Sequence, residues 1–101
     1  MTYSLKILEA DVSPAEIRAA EQRFRDALEA TLGDEALVLP VYAAYQRLVA
    51  AYGEEPDPDA LTDAERMVID QWRLAEQAAV AAAFGPNRYM GDAMYEIRLA
   101  S

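Results

Sequence analysis

The two ends of the chain alternate apolar and polar residues with a period of two, which is typical of a half-buried β-strand. The apolar positions are Tyr3, Leu5 and Ile7 near the N-terminus and Tyr95, Ile97 and Leu99 near the C-terminus. The residues between them include Lys6 in the first run and Glu96 in the second. We therefore predict one strand over about residues 3–9 and a second strand at the C-terminal end.

Between these ends the apolar residues recur at helical spacing, and the first of three predicted helices has well-defined ends. It opens with Ser13–Glu16, a capping box with proline at the first helical position, and Val12 is placed to staple against Ile17. Gly33 follows as a left-handed cap. The predicted apolar face consists of Ile17, Ala20, Phe24, Ala27, Leu28, Thr31 and Leu32.

The second helix contains a proline near its beginning. Pro40 cannot donate a backbone hydrogen bond, so residues 34–39 form either a separate turn or the first turns of one longer helix. From Val41 onward the helical spacing is clear, and Gly53 ends it.

The third helix begins with a second capping box, Thr62–Glu65, and ends at Phe84 before Gly85 and Pro86. Its predicted inner face consists of Val68, Trp72, Ala75, Ala79 and Ala82. Further apolar residues extend around its circumference, namely Met67, Ile69, Leu74, Ala78, Val80 and Ala81. Such a helix is either central in its bundle or has a second face for a partner.

This order predicts an α+β fold in a single domain spanning residues 1–101, with three helices packed on a small sheet formed by the two terminal strands. We expect antiparallel pairing, which would make Lys6 and Glu96 neighbours on the solvent face. A sheet of two strands leaves both outer edges open, so dimerisation into a larger sheet or strand addition to another protein becomes a reasonable expectation.

The net charge of the chain favours some classes of partner over others. Eighteen acidic and nine basic residues give a formal net charge of −9 at pH 7. This excess repels phosphate, so we expect no direct binding to nucleic acid or to a membrane, and a basic protein surface is the favoured partner. The alternative is that acidity only keeps a small protein soluble. The chain shows neither a secretory signal nor a long apolar run, so we expect a cytoplasmic protein.

The composition also removes most catalytic chemistry. Without cysteine or histidine, disulfides and a serine–histidine triad are excluded, and zinc, haem and iron–sulfur sites lose their usual ligands. No glycine-rich phosphate loop is present. We expect no cofactor and no enzymatic activity, with acid–base chemistry by Asp, Glu or Tyr as the remaining catalytic alternative.

An acidic segment, EEPDPDALTDAE over residues 54–65, has six carboxylates and no basic residue. The carboxylates are Glu54, Glu55, Asp57, Asp59, Asp63 and Glu65. In one interpretation Pro56 and Pro58 hold an extended connector that leads into the capped third helix. In the other, the carboxylates imitate phosphates and occupy a basic nucleic-acid groove on another protein. A calcium loop is disfavoured, because Thr62 replaces its glycine and Val68 its last glutamate.

Three further residues, Arg88, Tyr89 and Met90, lie in the loop after the third helix and belong to types enriched at interface hot spots. They either anchor a partner, or Tyr89 and Met90 fold back on the core. The leading hypothesis is a small acidic interaction protein, an inhibitor that covers a basic surface of a nucleic-acid-binding protein, of the kind that mobile elements encode. The alternative is a homodimeric or subunit assembly module that uses a strand edge and the apolar face of the third helix.

Overall fold

The structure, a computed structural model, describes residues 3–10, 13–85 and 93–99. The elements are β1 (Tyr3–Ala10), α1 (Pro14–Leu32), α2 (Glu35–Tyr52), α3 (Asp63–Phe84) and β2 (Ala93–Leu99). A single 3₁₀ turn, Pro58–Ala60, lies between α2 and α3. The predicted α+β fold and its element order are therefore confirmed.

The sheet consists of β1 and β2 paired antiparallel. The register places Leu5 opposite Ile97 and Lys6 opposite Glu96, as the charge pattern predicted, and it is interrupted between Ile7 and Glu9. Because successive side chains of a strand point to opposite faces, Ile7 and Ile97 are buried against the helices while Lys6 is exposed.

The core lies between this sheet and the three helices, and α1 packs most extensively against α3. The indole ring of Trp72 is fully buried and stands beside two tyrosines of α2, with centroid distances of 5.0 Å to Tyr42 and 6.2 Å to Tyr45. Phe24 of α1 packs on Tyr95 of β2 at 5.0 Å. These aromatic contacts join α2 to α3 and α1 to the sheet.

Pro40 lies inside one continuous α2, which settles the two alternatives left by the sequence. Its missing N–H would have bonded to the carbonyl oxygen of Ala36, a residue exposed to solvent, so water can take the place of that donor. The Asp34 side chain caps the helix by accepting from the Ala36 N–H at 2.9 Å.

Of the two predicted capping boxes, the one at α3 forms and the one at α1 does not. At α3, Thr62 and Glu65 form both reciprocal hydrogen bonds. At α1, the Ser13 side chain forms no cap hydrogen bond, and the Glu16 N–H donates instead to the Ser13 carbonyl oxygen at 3.0 Å. The box predicted at Ser13 is therefore wrong. The staple partner Val12 lies outside the described residues.

The buried face of α3 is rotated relative to the prediction. Ala82 is exposed and Val68 only half-buried, whereas Ile69 and Ala83 are buried. The buried positions cover a broad face because α3 packs against both α1 and α2. On the opposite side Met67 and Leu74 are 70% and 63% exposed, so the second apolar face anticipated for this helix is present at these two positions.

Candidate acidic interaction surface

The acidic segment, residues 54–65, begins immediately after α2 ends. Gly53 has a φ of 90°, a conformation that favours glycine, and its N–H donates to the Val49 carbonyl oxygen at 2.8 Å. Asp57 is extended, as a residue before proline should be, but Pro58 starts the 3₁₀ turn. The chain is therefore extended before Pro58, as predicted, but the extended connector ends there because the 3₁₀ turn begins.

Asp57 has a local structural role. Its Oδ1 accepts from the Asp59 N–H at 3.0 Å, and its carbonyl oxygen accepts from the Ala60 N–H at 2.9 Å. These two bonds cap and close the 3₁₀ turn. The Asp57 carboxylate is therefore partly used by its own backbone, while the Asp59 side chain remains exposed.

Glu65 is also used within the fold. Its Oε1 accepts from the Thr62 N–H at 2.8 Å, and its own N–H donates to Thr62 Oγ1 at 3.2 Å. The Tyr52 hydroxyl donates to Oε2 at 3.5 Å. The bond from the Thr62 backbone N–H is the main reason that the pKa of Glu65 lies below its ordinary value. This carboxylate primarily caps α3.

Two arginines of α3 reach back to the acidic segment. Arg66 Nη1 donates to the Pro58 carbonyl oxygen at 3.1 Å, and Arg73 Nη2 donates to the Glu54 carbonyl oxygen at 2.8 Å. Arg66 also forms an ion pair with Asp63. The sequence contains no base within the segment, but the fold brings two, so the six carboxylates are left with an excess of four negative charges.

Three carboxylates of the segment are fully presented to solvent. Glu54, Glu55 and Asp59 are exposed, and none of their carboxylates bonds to another residue in the part of the chain that the structure describes. Arg66 and Arg73 both donate to backbone carbonyl oxygens of the segment. These contacts hold the segment in place, and no ion pair to Glu54, Glu55 or Asp59 contributes among the described residues. These three carboxylates are the part of the predicted acidic surface that remains available to a partner.

A shallow depression of about 240 Å³ lies between this segment and α3. Its lining includes the buried Leu61 and Ile69 and three charged residues, Arg66, Asp70 and Arg73. Cavities that enclose small-molecule ligands are usually larger, from roughly 300 Å³ upward. Its volume lies below that range, which disfavours a small-molecule site here.

The remaining predicted site residues are Arg88, Tyr89 and Met90, which lie outside the described residues. Their role as anchors therefore stays a prediction. The structure brings together the other six: Glu54, Glu55, Asp57, Asp59, Asp63 and Glu65.

Sequence reasoning missed a polar cluster between α3 and β2. The Tyr95 hydroxyl donates to Glu76 Oε2, and Trp72 Nε1 donates to the same oxygen at 3.3 Å. Burial, reinforced by the Glu76 charge, raises the pKa of Tyr95 far above its ordinary range. The phenol therefore stays protonated even at alkaline pH and acts as a hydrogen-bond donor. Only the four-residue spacing of Trp72 and Glu76 was visible in the sequence.

The described residues contain neither a metal-binding cluster nor a membrane-spanning helix. Within residues 3–10, 13–85 and 93–99, no three acidic side chains converge so that they could hold a metal ion. None of the described helices has the length and apolar content needed to cross a bilayer.

The same chain was compared with known proteins. Neither the protein-family models, nor the curated proteins, nor the solved structures gave a significant match to it. Its function is therefore argued from its own residues.

Proposed function

We propose that this protein is a non-enzymatic interaction protein that covers a basic surface of a nucleic-acid-binding protein and thereby inhibits it. The observation that carries the proposal is the arrangement of the acidic segment: Glu54, Glu55 and Asp59 are exposed on a connector that Arg66 and Arg73 hold through its backbone. The overall net charge of −9 acts in the same direction.

The ordered backbone of the acidic segment should increase its affinity for a partner. A mobile acidic loop would lose conformational entropy when a partner orders it, and that loss weakens binding. Here the 3₁₀ turn, the Thr62 capping box and the two arginine contacts order the backbone before any partner arrives. The three exposed carboxylates therefore start from a defined arrangement.

Electrostatics also defines the class of partner. A locally negative surface accelerates association with a positive one and repels surfaces of its own sign. Proteins that bind nucleic acid carry lysine and arginine clusters that neutralise phosphates. Their grooves match the charge of the segment.

The test uses the tagged protein to capture partners from native lysate, with parallel washes at low and high salt. We expect a basic, nucleic-acid-handling protein that is released by salt, and we expect the captured protein to lose binding to duplex DNA as this chain is added. A captured partner that binds DNA equally well in the presence of this chain would contradict inhibition.

A second candidate function is assembly, in which this chain is a homodimeric module or a subunit. It is favoured by the open edges of the two-stranded sheet and by Met67 and Leu74, two large apolar side chains exposed on α3. Light scattering on the purified protein tests it, since a salt-resistant oligomer is expected and a monomer at high concentration would contradict it.

A further inference from the structure

We propose that the outer edge of β2 pairs antiparallel with β2 of a second copy, in the register that places Ile97 opposite itself. The result is a four-stranded sheet in the order β1, β2, partner β2, partner β1. This inference deepens the second candidate function and rests on it; it is independent of the acidic segment.

The edge has unused hydrogen-bonding groups. Among the described residues, no backbone N–H or carbonyl of β1 or β2 bonds to any element other than the paired strand. A two-stranded sheet is marginal by itself, and exposed strand edges are usually covered or used for pairing. A third strand would satisfy one row of these groups.

The β1 edge is less suited to this role. Its pairing register is irregular between Ile7 and Glu9, and such irregularities commonly protect an edge. The extra residue at this irregularity, Leu8, belongs to β1, so the interruption falls on the β1 edge.

The β2 edge is regular and complementary to itself. From Tyr95 to Leu99 each residue pairs in sequence with β1. In an antiparallel pair, directly opposite residues lie on the same face, so a two-fold axis at Ile97 places Glu96 opposite the partner's Arg98, and Arg98 opposite the partner's Glu96. In the single chain the Arg98 guanidinium already forms an ion pair with Glu96 of its own strand, so dimerisation would exchange that contact for two symmetric opposite-charge pairs across the interface.

The pairing of β1 with β2 within one chain fits the same alternation of charge across the sheet. Lys6 already lies opposite Glu96, so the outer face would carry charges of alternating sign in the order Lys6, Glu96, partner Arg98. On the inner face Leu5 and Ile97 would continue into the partner's Ile97 and Leu5. A register centred on Glu96 would instead place that carboxylate opposite itself, and like charges directly opposite are destabilising. Of these two registers, the charges favour the one centred on Ile97.

The expected dimer is weak, because one pair of short strands covers less area than stable interfaces do. We expect a dissociation constant of roughly 1–100 μM. Backbone hydrogen bonds and the Ile97 contact would hold the dimer together, so added salt should weaken it little. Two symmetric charge pairs turned from attraction to repulsion should still weaken association by about tenfold or more.

Sedimentation velocity on four samples tests the proposal: the wild type, Glu96→Arg, Arg98→Glu, and an equimolar mixture of the two variants. Each variant alone places like charges opposite each other and should remain monomeric where the wild type dimerises. In the mixture, one chain supplies two cations and the other two anions, so a heterodimer should form. Arg47→Glu, a charge reversal at an exposed position of α2, is the matched control and should dimerise like the wild type.

Three results would overturn the proposal: a monomeric wild type up to about 1 mM, well above the range expected for a weak interface; variants that dimerise as well as the wild type; or no heterodimer in the mixture. Far-UV circular dichroism establishes that both variants are folded. Capture of a basic partner does not depend on these residues, so failure here and failure of the acidic surface are separate results.

Discussion

Arg73, in the middle of α3, donates from Nη2 to the carbonyl oxygen of Glu54 at 2.8 Å, across 19 positions of sequence. Arg66 makes the corresponding contact to Pro58 at 3.1 Å. The shape of the acidic segment therefore depends on the helix that follows it as well as on its own prolines.

Removal of this contact should loosen the segment without unfolding the protein. For Arg73→Ala we expect a loss of about 1 kcal/mol in the free energy of unfolding, typical of one exposed hydrogen bond. Backbone amides of residues 54–61 should exchange with deuterium several-fold faster. Arg47→Ala, at an exposed arginine of α2, is the matched control. Unchanged exchange in Arg73→Ala would show that the prolines alone fix the segment.

The two helix caps predict unequal effects of similar substitutions. Thr62→Ala removes a side chain that accepts a bond from the Glu65 N–H and should cost about 1 kcal/mol in urea unfolding. Ser13→Ala removes a side chain that makes no cap bond and should cost a few tenths of a kcal/mol at most. Equal losses at the two sites would contradict the difference between the caps.

Two leucines provide a matched test of the packing. Leu28 is fully buried, whereas Leu74 is 63% exposed. Leu28→Ala should lower the free energy of unfolding by about 2–5 kcal/mol, because it leaves a cavity in the core. Leu74→Ala should change it by less than about 0.5 kcal/mol. A large loss at Leu74 would mean that this residue is buried in an assembly.

Because the Tyr95 hydroxyl is partly buried, we expect the free energy of unfolding to fall at alkaline pH. Burial first, and then the Glu76 charge, raise its pKa in the folded state above the ordinary value of 10.0. The folded protein thus holds this proton more tightly than the unfolded chain does. The resulting stability is complete below about pH 10 and is lost as the pH rises toward the folded pKa.

Thermal unfolding of the wild type and Tyr95→Phe between about pH 9 and pH 11 measures this effect. The midpoint of the wild type should fall more steeply with pH than that of the variant, which lacks the titrating group. Parallel curves for wild type and Tyr95→Phe would contradict the assignment.

Local signals in the sequence predicted much of the fold. Alternation at Tyr3–Ile7 and at Tyr95–Leu99 located both strands, and Gly33 and Thr62 located helix ends correctly. Such features depend on neighbours along the chain, which the sequence displays directly. The failure at Ser13 is of a different kind, since the choice between its hydroxyl and its carbonyl as acceptor depends on backbone geometry.

Long-range contacts could not be predicted in the same way. Nothing in the sequence relates Arg73 to Glu54, or Tyr95 to Glu76, because both contacts depend on how the elements pack. The rotation of the buried face of α3 toward Ile69 and Ala83 has the same origin. The residues of the acidic segment were thus predictable, while the groups that fix it were not.

The most direct test of the central claim is the triple charge reversal Glu54→Lys, Glu55→Lys and Asp59→Lys, compared with Glu16→Lys, Glu21→Lys and Asp26→Lys on α1. Both variants change the net charge equally, and Asp57 is kept because it caps the 3₁₀ turn. We measure retention of the salt-released partner on immobilised protein. The account predicts that the first variant loses this partner by at least about tenfold while the second retains it. Equal retention by both, or equal loss, would contradict a specific role for the acidic segment.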